Sequence, residues 1–176
     1  MIVMAFDVAT TTGVAWGAAG DTPRFATLDF GKGLSHAERF ATAQDYASQM
    51  IQTHAPDVVV CEDKIGGTAA HPFPGQALAC VMGEICRLGI PVELMTVASI
   101  RKGFLGKHLT SKDFPGLNKH QSRKEIKRIV MKNCEMRGWT VANDDEADAG
   151  ALWEAFCARR RFSQASPIQH GGLFCG

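Results

Sequence analysis

Residues 57–62 read DVVVCE, a β-branched apolar run with no polar alternation. A strand with one wet face alternates, so an unbroken run of this kind fits a strand covered on both faces, paired in parallel with helices packed above and below. A parallel partner must be reached through a crossover, usually helical. The opening MIVMAFD supplies the partner strand, and residues 35–54 supply the crossover, with Phe40, Ala43, Ala47, Met50 and Ile51 at helical spacing. Ser35 stands as its N-cap and Glu38, three residues on, as the capping-box partner.

The other elements follow from the same pattern reading. After a break at TTTG, Val14–Trp16 and Arg24–Phe30 read as two more short strands, which with residues 2–8 suit an antiparallel meander. Gly66–Gly75 reads as a loop, and residues 76–88 as a helix apolar on most of its circumference, which therefore needs cover on more than one side. VELMTV is a fifth strand and VASIRKGFLGK a short helix, followed by an irregular stretch to Asn118. The basic helix from Lys119 turns Ile126, Ile129, Val130, Cys134 and Met136 inward and stops at Gly138; a last helix runs from Asp144 or Asp145 to about Arg161. The expected architecture is an α/β fold with a five-stranded mixed sheet flanked by helices on both faces, one domain over residues 1–161 with a tail at 162–176.

The formal net charge is only +1 over 176 residues, yet the charges are segregated. From Arg101 to Arg137 there are eleven Lys or Arg against Asp113, Glu125 and Glu135, a local net charge of +8, so the rest of the chain is net acidic. Such a patch suits a phosphate backbone better than the whole-chain charge implies, and Lys102, Lys107, Lys119, Arg123, Lys124 and Lys127 are the candidate DNA contacts. An ordinary solvated helix face is the competing reading of the same charges. Arg159, Arg160 and Arg161 fit either a DNA contact or the complement of a helix C-terminus. The six cysteines form no CxxC pair and no zinc-like spacing with His, and read as reduced buried thiols. With no leader-like start and no apolar run long enough to span a bilayer, a cytoplasmic protein with no membrane partner is expected.

Carboxylates close or open three separated segments: Asp7 ends the first strand, Glu62 ends DVVVCE, and Asp145 and Asp148 open the last helix. In an open α/β sheet the carboxyl ends of parallel strands are where ligands gather, which sets Asp7 beside Glu62. Asp145 and Asp148, three apart, share a helix face, but so do Asp144 and Asp148, four apart, and each of these acids also fits a plain cap or first-turn role. Converging carboxylates repel unless cations neutralise them, and hard oxygen donors suit Mg²⁺ or Mn²⁺. Two ions about 3.5–4 Å apart would serve phosphodiester hydrolysis.

FDVATTTGVAW, VVVCEDK, KEIKRIVMKNC and DDEADAGALW resemble the four signature regions of RuvC-type Holliday-junction resolvases of the RNase H-like superfamily, over roughly Ile2–Ala158. The resemblance implies a metal-bound quartet at Asp7, Glu62, Asp145 and Asp148, and it is this spacing that selects Asp145 over Asp144. It implies a basic position at Lys124, two Mg²⁺ ions per site, a homodimer, and paired symmetric nicking of a four-way DNA junction. The apolar helix 76–88 would then serve as the dimer face.

Three other readings compete. Another RNase H-like nuclease, acting on RNA/DNA hybrids or flaps, shares the chemistry. A non-cleaving junction-binding protein would need the basic helix but not the acids. A sugar-kinase or actin-like ATPase also places a Thr-rich turn after an Asp, but closes two domains on its nucleotide where this chain has length for one.

Overall fold

The computed structural model describes residues 1–63 and 72–164. Strands β1 (Ile2–Asp7), β2 (Thr11–Ala18) and β3 (Arg24–Asp29) form the meander, and helix α1 (His36–His54) crosses over to β4 (Val58–Glu62). Helix α2 (Phe73–Arg87), strand β5 (Val92–Met95), and helices α3 (Val97–Leu105), α4 (Lys119–Met136) and α5 (Asp144–Gln164) complete the chain. The strand order is β3-β2-β1-β4-β5, antiparallel among the first three strands and parallel for β1, β4 and β5. Both crossovers therefore do what the unalternating β4 run requires.

The two faces of the sheet are two cores. Met4, Phe6, Val59 and Cys61 pack against α1 and α2; Val3, Ala5, Val58 and Val60 pack against α3, α4 and α5. Helix α5 is the inner one: Leu152, Trp153, Phe156 and Cys157 are at most 1% exposed, and Trp153 Nε1 donates to the Val3 carbonyl of the central strand at 3.1 Å. Ala147, Ala149 and Ala151, at most 3% exposed, are small enough for close packing on more than one side of it.

Local expectations hold where side chains cap. Ser35 and Glu38 form the reciprocal capping box on α1. Thr96 caps α3 by accepting from Ser99 N–H at 3.3 Å, which ends β5 two residues earlier than expected. Other expectations change. TTTG is not a break: the turn is Val8–Thr10, and the buried Thr12 pins it by accepting from Ala9 N–H and donating to the Ala9 carbonyl, so β2 starts at Thr11. Helix α2 starts at Phe73 because Pro74 suits a first helical turn. Among the described residues its buried face is Ala77, Leu78, Val81 and Ile85, and its outer face exposes Gly75, Ala79, Gly83 and Cys86. The stretch after α3 is partly ordered: Leu109 is buried, and residues 111–113 form a 3-10 turn boxed by Thr110 and Asp113. Met136 points outward at 67% exposure. Helix α5 continues through Gln164, past the expected end at Arg161. His71, most of the expected Gly66–Gly75 loop, and residues 165–176 of the expected tail lie outside the described residues.

Candidate active site

In the β1–β4 ladder Phe6 pairs with Cys61, and one step further brings Asp7 level with Glu62. Parallel neighbours stand about 4.8 Å apart, and both residues have the parity of Val3, Ala5, Val58 and Val60, so both face α5. Asp145 and Asp148 arrive there on the first turns of α5. All four line one cleft of about 440 Å³.

What seats α5 is Gly13. It pairs with Asp7 across β1–β2, and a Cβ there would lie 1.9 Å from the Asp145 carbonyl oxygen and 2.3 Å from its carbon. The helix backbone thus rests directly on the bare strand. The turn is then fixed by polar contacts: Asn143 Oδ1 accepts from Glu146 N–H at 2.9 Å, and the buried Glu146 carboxylate accepts from Thr27 Oγ1 at 2.9 Å and from Ala142 N–H at 2.7 Å. Asn143 is the cap, and Glu146 serves this anchor rather than the cleft.

Helix α4 forms the opposite wall. Its buried seam is Ser122, Ile126, Val130 and Cys134, at four-residue spacing, so Lys119, Arg123 and Lys127, flanking the seam, line the cleft. Lys102, Lys107 and Lys124 are exposed and stand outside it. The lysine nearest the acids is therefore Lys127: its ammonium hydrogen-bonds Asp144 and lies 3.8 Å from Asp148 Oδ2. Arg101, which charge counting did not single out, also lines the cleft, with Nη1 donating to the Leu109 carbonyl at 2.8 Å. His108 and His120 are exposed. Arg159 and Arg160 both bind Glu93, and Arg161 binds Glu154, at the far end of α5.

The electrostatics are set by burial and by carboxylates that crowd one another. Burial first, then the charge of Asp7, with Glu62 and Asp144 adding and Lys127 opposing, push the Asp148 carboxyl up to about 7. Its side chain keeps 29% exposure through the cleft mouth, so it is walled by protein on most sides and still reachable. Burial also disfavours the Lys127 ammonium, but the Asp144 hydrogen bond and the charges of Asp148, Asp144 and Asp145 outweigh it and hold its pKa above the usual lysine value. The same hydrogen bond holds Asp144 below the usual carboxylate range. Among the described residues, no three His, Cys, Asp or Glu side chains form a ready-made ion cluster. The four acids fit a hard divalent cation by donor chemistry and by the carboxylates crowded around Asp148, and holding one requires them to draw inward. Elsewhere burial pushes the Cys134 and Cys157 thiols up to about 11 and about 12, whereas Cys86 is exposed, unlike the buried thiol expected.

The class that this sheet order and its helices define is the RNase H-like fold. Solved structures that share it include the following three. The Thermus thermophilus RuvC structure matches with a TM-score of 0.67 at 18% identity, covering 96% of this chain and 100% of that one. T. thermophilus RuvC in complex with Holliday junction substrate matches with a TM-score of 0.68 at 16% identity, covering 96% and 99%. The yeast mitochondrial Holliday junction resolvase matches with a TM-score of 0.51 at 11% identity, covering 93% and 80%. At these identities the likeness is one of fold. No protein-family model and no curated protein matches the sequence.

Proposed function

We propose that this chain is a divalent-metal-dependent DNA endonuclease that resolves four-way junctions as a homodimer. The observation that carries the reading is that carboxylates from three separated segments, Asp7, Glu62, and the Asp145 and Asp148 pair, line one cleft whose other wall is the most basic helix of the chain. The fold likeness supports it: one similar structure is a RuvC complex with Holliday junction substrate.

Asp7, Glu62, Asp145 and Asp148 would hold Mg²⁺ or Mn²⁺, as a pair of ions. When bound, such ions supply Lewis-acid stabilisation of the charge building on the phosphodiester and on the departing 3′ oxygen. The chain's own part is placement. β1 and β4 are neighbouring strands of a buried ladder, so Asp7 and Glu62 have little freedom to move apart, and α5 presents the other two acids from a turn anchored on Gly13 and Thr27. Lys119 and Arg123 neutralise phosphates that flank the cut, and the exposed Lys102, Lys107 and Lys124 extend the basic track beyond the cleft. For the dimer, the exposed stripe of Gly75, Ala79 and Gly83 on α2 lets a second helix approach closely.

The test is a cleavage panel with Mg²⁺ comparing a four-way junction, a flap, a duplex and an RNA/DNA hybrid. Junction cutting by symmetric nicks, abolished by Asp7→Asn and by Glu62→Gln with binding largely kept, is expected. Preference for the hybrid or the flap would make this another RNase H-like nuclease; binding with no cutting would make it an architectural junction protein. Variants that cut at the wild-type rate would remove the site assignment.

A further inference from the structure

Of the acids in the α5 first turn, Asp145 lines the cleft, Glu146 anchors the turn to Thr27 and Ala142, and Asp144 does neither. Its side chain is 46% exposed, and its partner is Lys127, which reaches across from α4 and does line the cleft. Asp148, one helical turn on and on the same face, stands 3.8 Å from the same ammonium. We propose that Asp144 is a positioning residue: it fixes the Lys127 ammonium at the cleft rim beside Asp148, where the ammonium meets a phosphate oxygen of the strand to be cut. This rests on the nuclease reading of the cleft.

The physical argument has two parts. A lysine ammonium is a point charge on a flexible four-carbon stem, and unanchored it samples many rotamers; a charge-assisted hydrogen bond to a second acid removes that freedom before substrate arrives. The choice of acid matters too. If the ammonium took its short contact from Asp148, it would occupy an oxygen that a cation needs. Bound to Asp144 it stays near Asp148 without capping it. Asp144 thereby acts through Lys127 and not on the metal, which separates it from the alternative that Asp144 stands in for Asp145 as a ligand.

The experiment compares Asp144→Asn, Asp144→Glu, Lys127→Ala and the Asp144→Asn/Lys127→Ala double variant in the full chain. Expected are a loss of about tenfold in single-turnover junction cleavage for Asp144→Asn, partial rescue by Asp144→Glu, and no further loss when Asp144→Asn is added to Lys127→Ala. Mn²⁺ affinity, measured without DNA, stays within twofold of wild type in Asp144→Asn. Acetylation of Lys127, read by mass spectrometry on metal-free protein, becomes faster in Asp144→Asn and returns toward wild type in Asp144→Glu. Additive losses, a drop in Mn²⁺ affinity, or unchanged Lys127 labelling would each overturn the proposal. If wild type cuts no substrate, the nuclease reading falls and the phosphate role of Lys127 with it, while the labelling still decides whether Asp144 holds the ammonium.

Discussion

Gly13→Ala tests how α5 is seated. The new methyl carbon would stand 1.9 Å from the Asp145 carbonyl oxygen, whereas ordinary contact begins at 3.4 Å, so strand and helix must separate by about 1.5 Å. Both colliding groups are backbone, so no side-chain rotation relieves the clash. β2 is also hydrogen-bonded on both edges, and α5 is walled in by the sheet, α3 and α4. Overpacking of this kind costs about 1–3 kcal/mol, and the lack of relief places it at the upper end. For a chain of this size 3 kcal/mol lowers Tm by roughly 6–12 °C. Function is hit harder than stability. In the proposed site a shift of about 1 Å would cost on the order of 10²-fold in rate, and Asp145 rides on the displaced turn. Calorimetry and single-turnover junction cleavage with Mg²⁺ give the two readouts. A variant that melts within a degree of wild type and cuts at the same rate would show that α5 does not depend on this seat.

Other consequences are equally open to measurement. Because the folded Asp148 carboxyl titrates near 7, against about 3.9 in an unfolded chain, the folded state binds the extra proton. Its contribution to stability is intact below about pH 4 and is lost as pH rises through 7, on the order of a few kcal/mol. Urea midpoints without divalent ions should therefore fall from pH 5 to pH 8, and Asp148→Asn should flatten that fall; an equally steep fall in the variant would dismiss the assignment. Mg²⁺ should stabilise wild type more at pH 8 than at pH 5, since ligands must shed their protons. Lys124→Ala should make the dependence of log Kd on log salt shallower by about one, and an unchanged slope would take Lys124 off the phosphate track. On the outer face of α2, Ala79→Glu should raise the dimer Kd at least tenfold in sedimentation; an intact dimer would move the interface elsewhere.

Periodicity exposed most of the backbone plan. The unalternating β4 run, the Ser35 and Glu38 box, and the spacing of α1 and α4 are local signals, and local signals survive in a linear string. Placing Glu62 beside Asp7 needed only the rule that parallel strands align their carboxyl ends. The apolar spacing of the helix 76–88 marked its buried face, Leu78, Val81 and Ile85, but a local pattern does not say what lies over the outer face at Gly75, Ala79, Gly83 and Cys86.

What the sequence by itself determined was the set of secondary elements, the mixed sheet they must form, and which segments carry acid and which carry base. Only the tertiary structure decided how close those segments come. The seat at Gly13 depends on an absent side chain meeting a helix 132 residues away in the chain. The choice of Lys127 over Lys124 as the lysine facing the acids depends on the rotation of α4, set by where Ser122, Ile126, Val130 and Cys134 find their cover. Both are matters of three-dimensional distance between remote residues, and a chain's local pattern carries no measure of that distance.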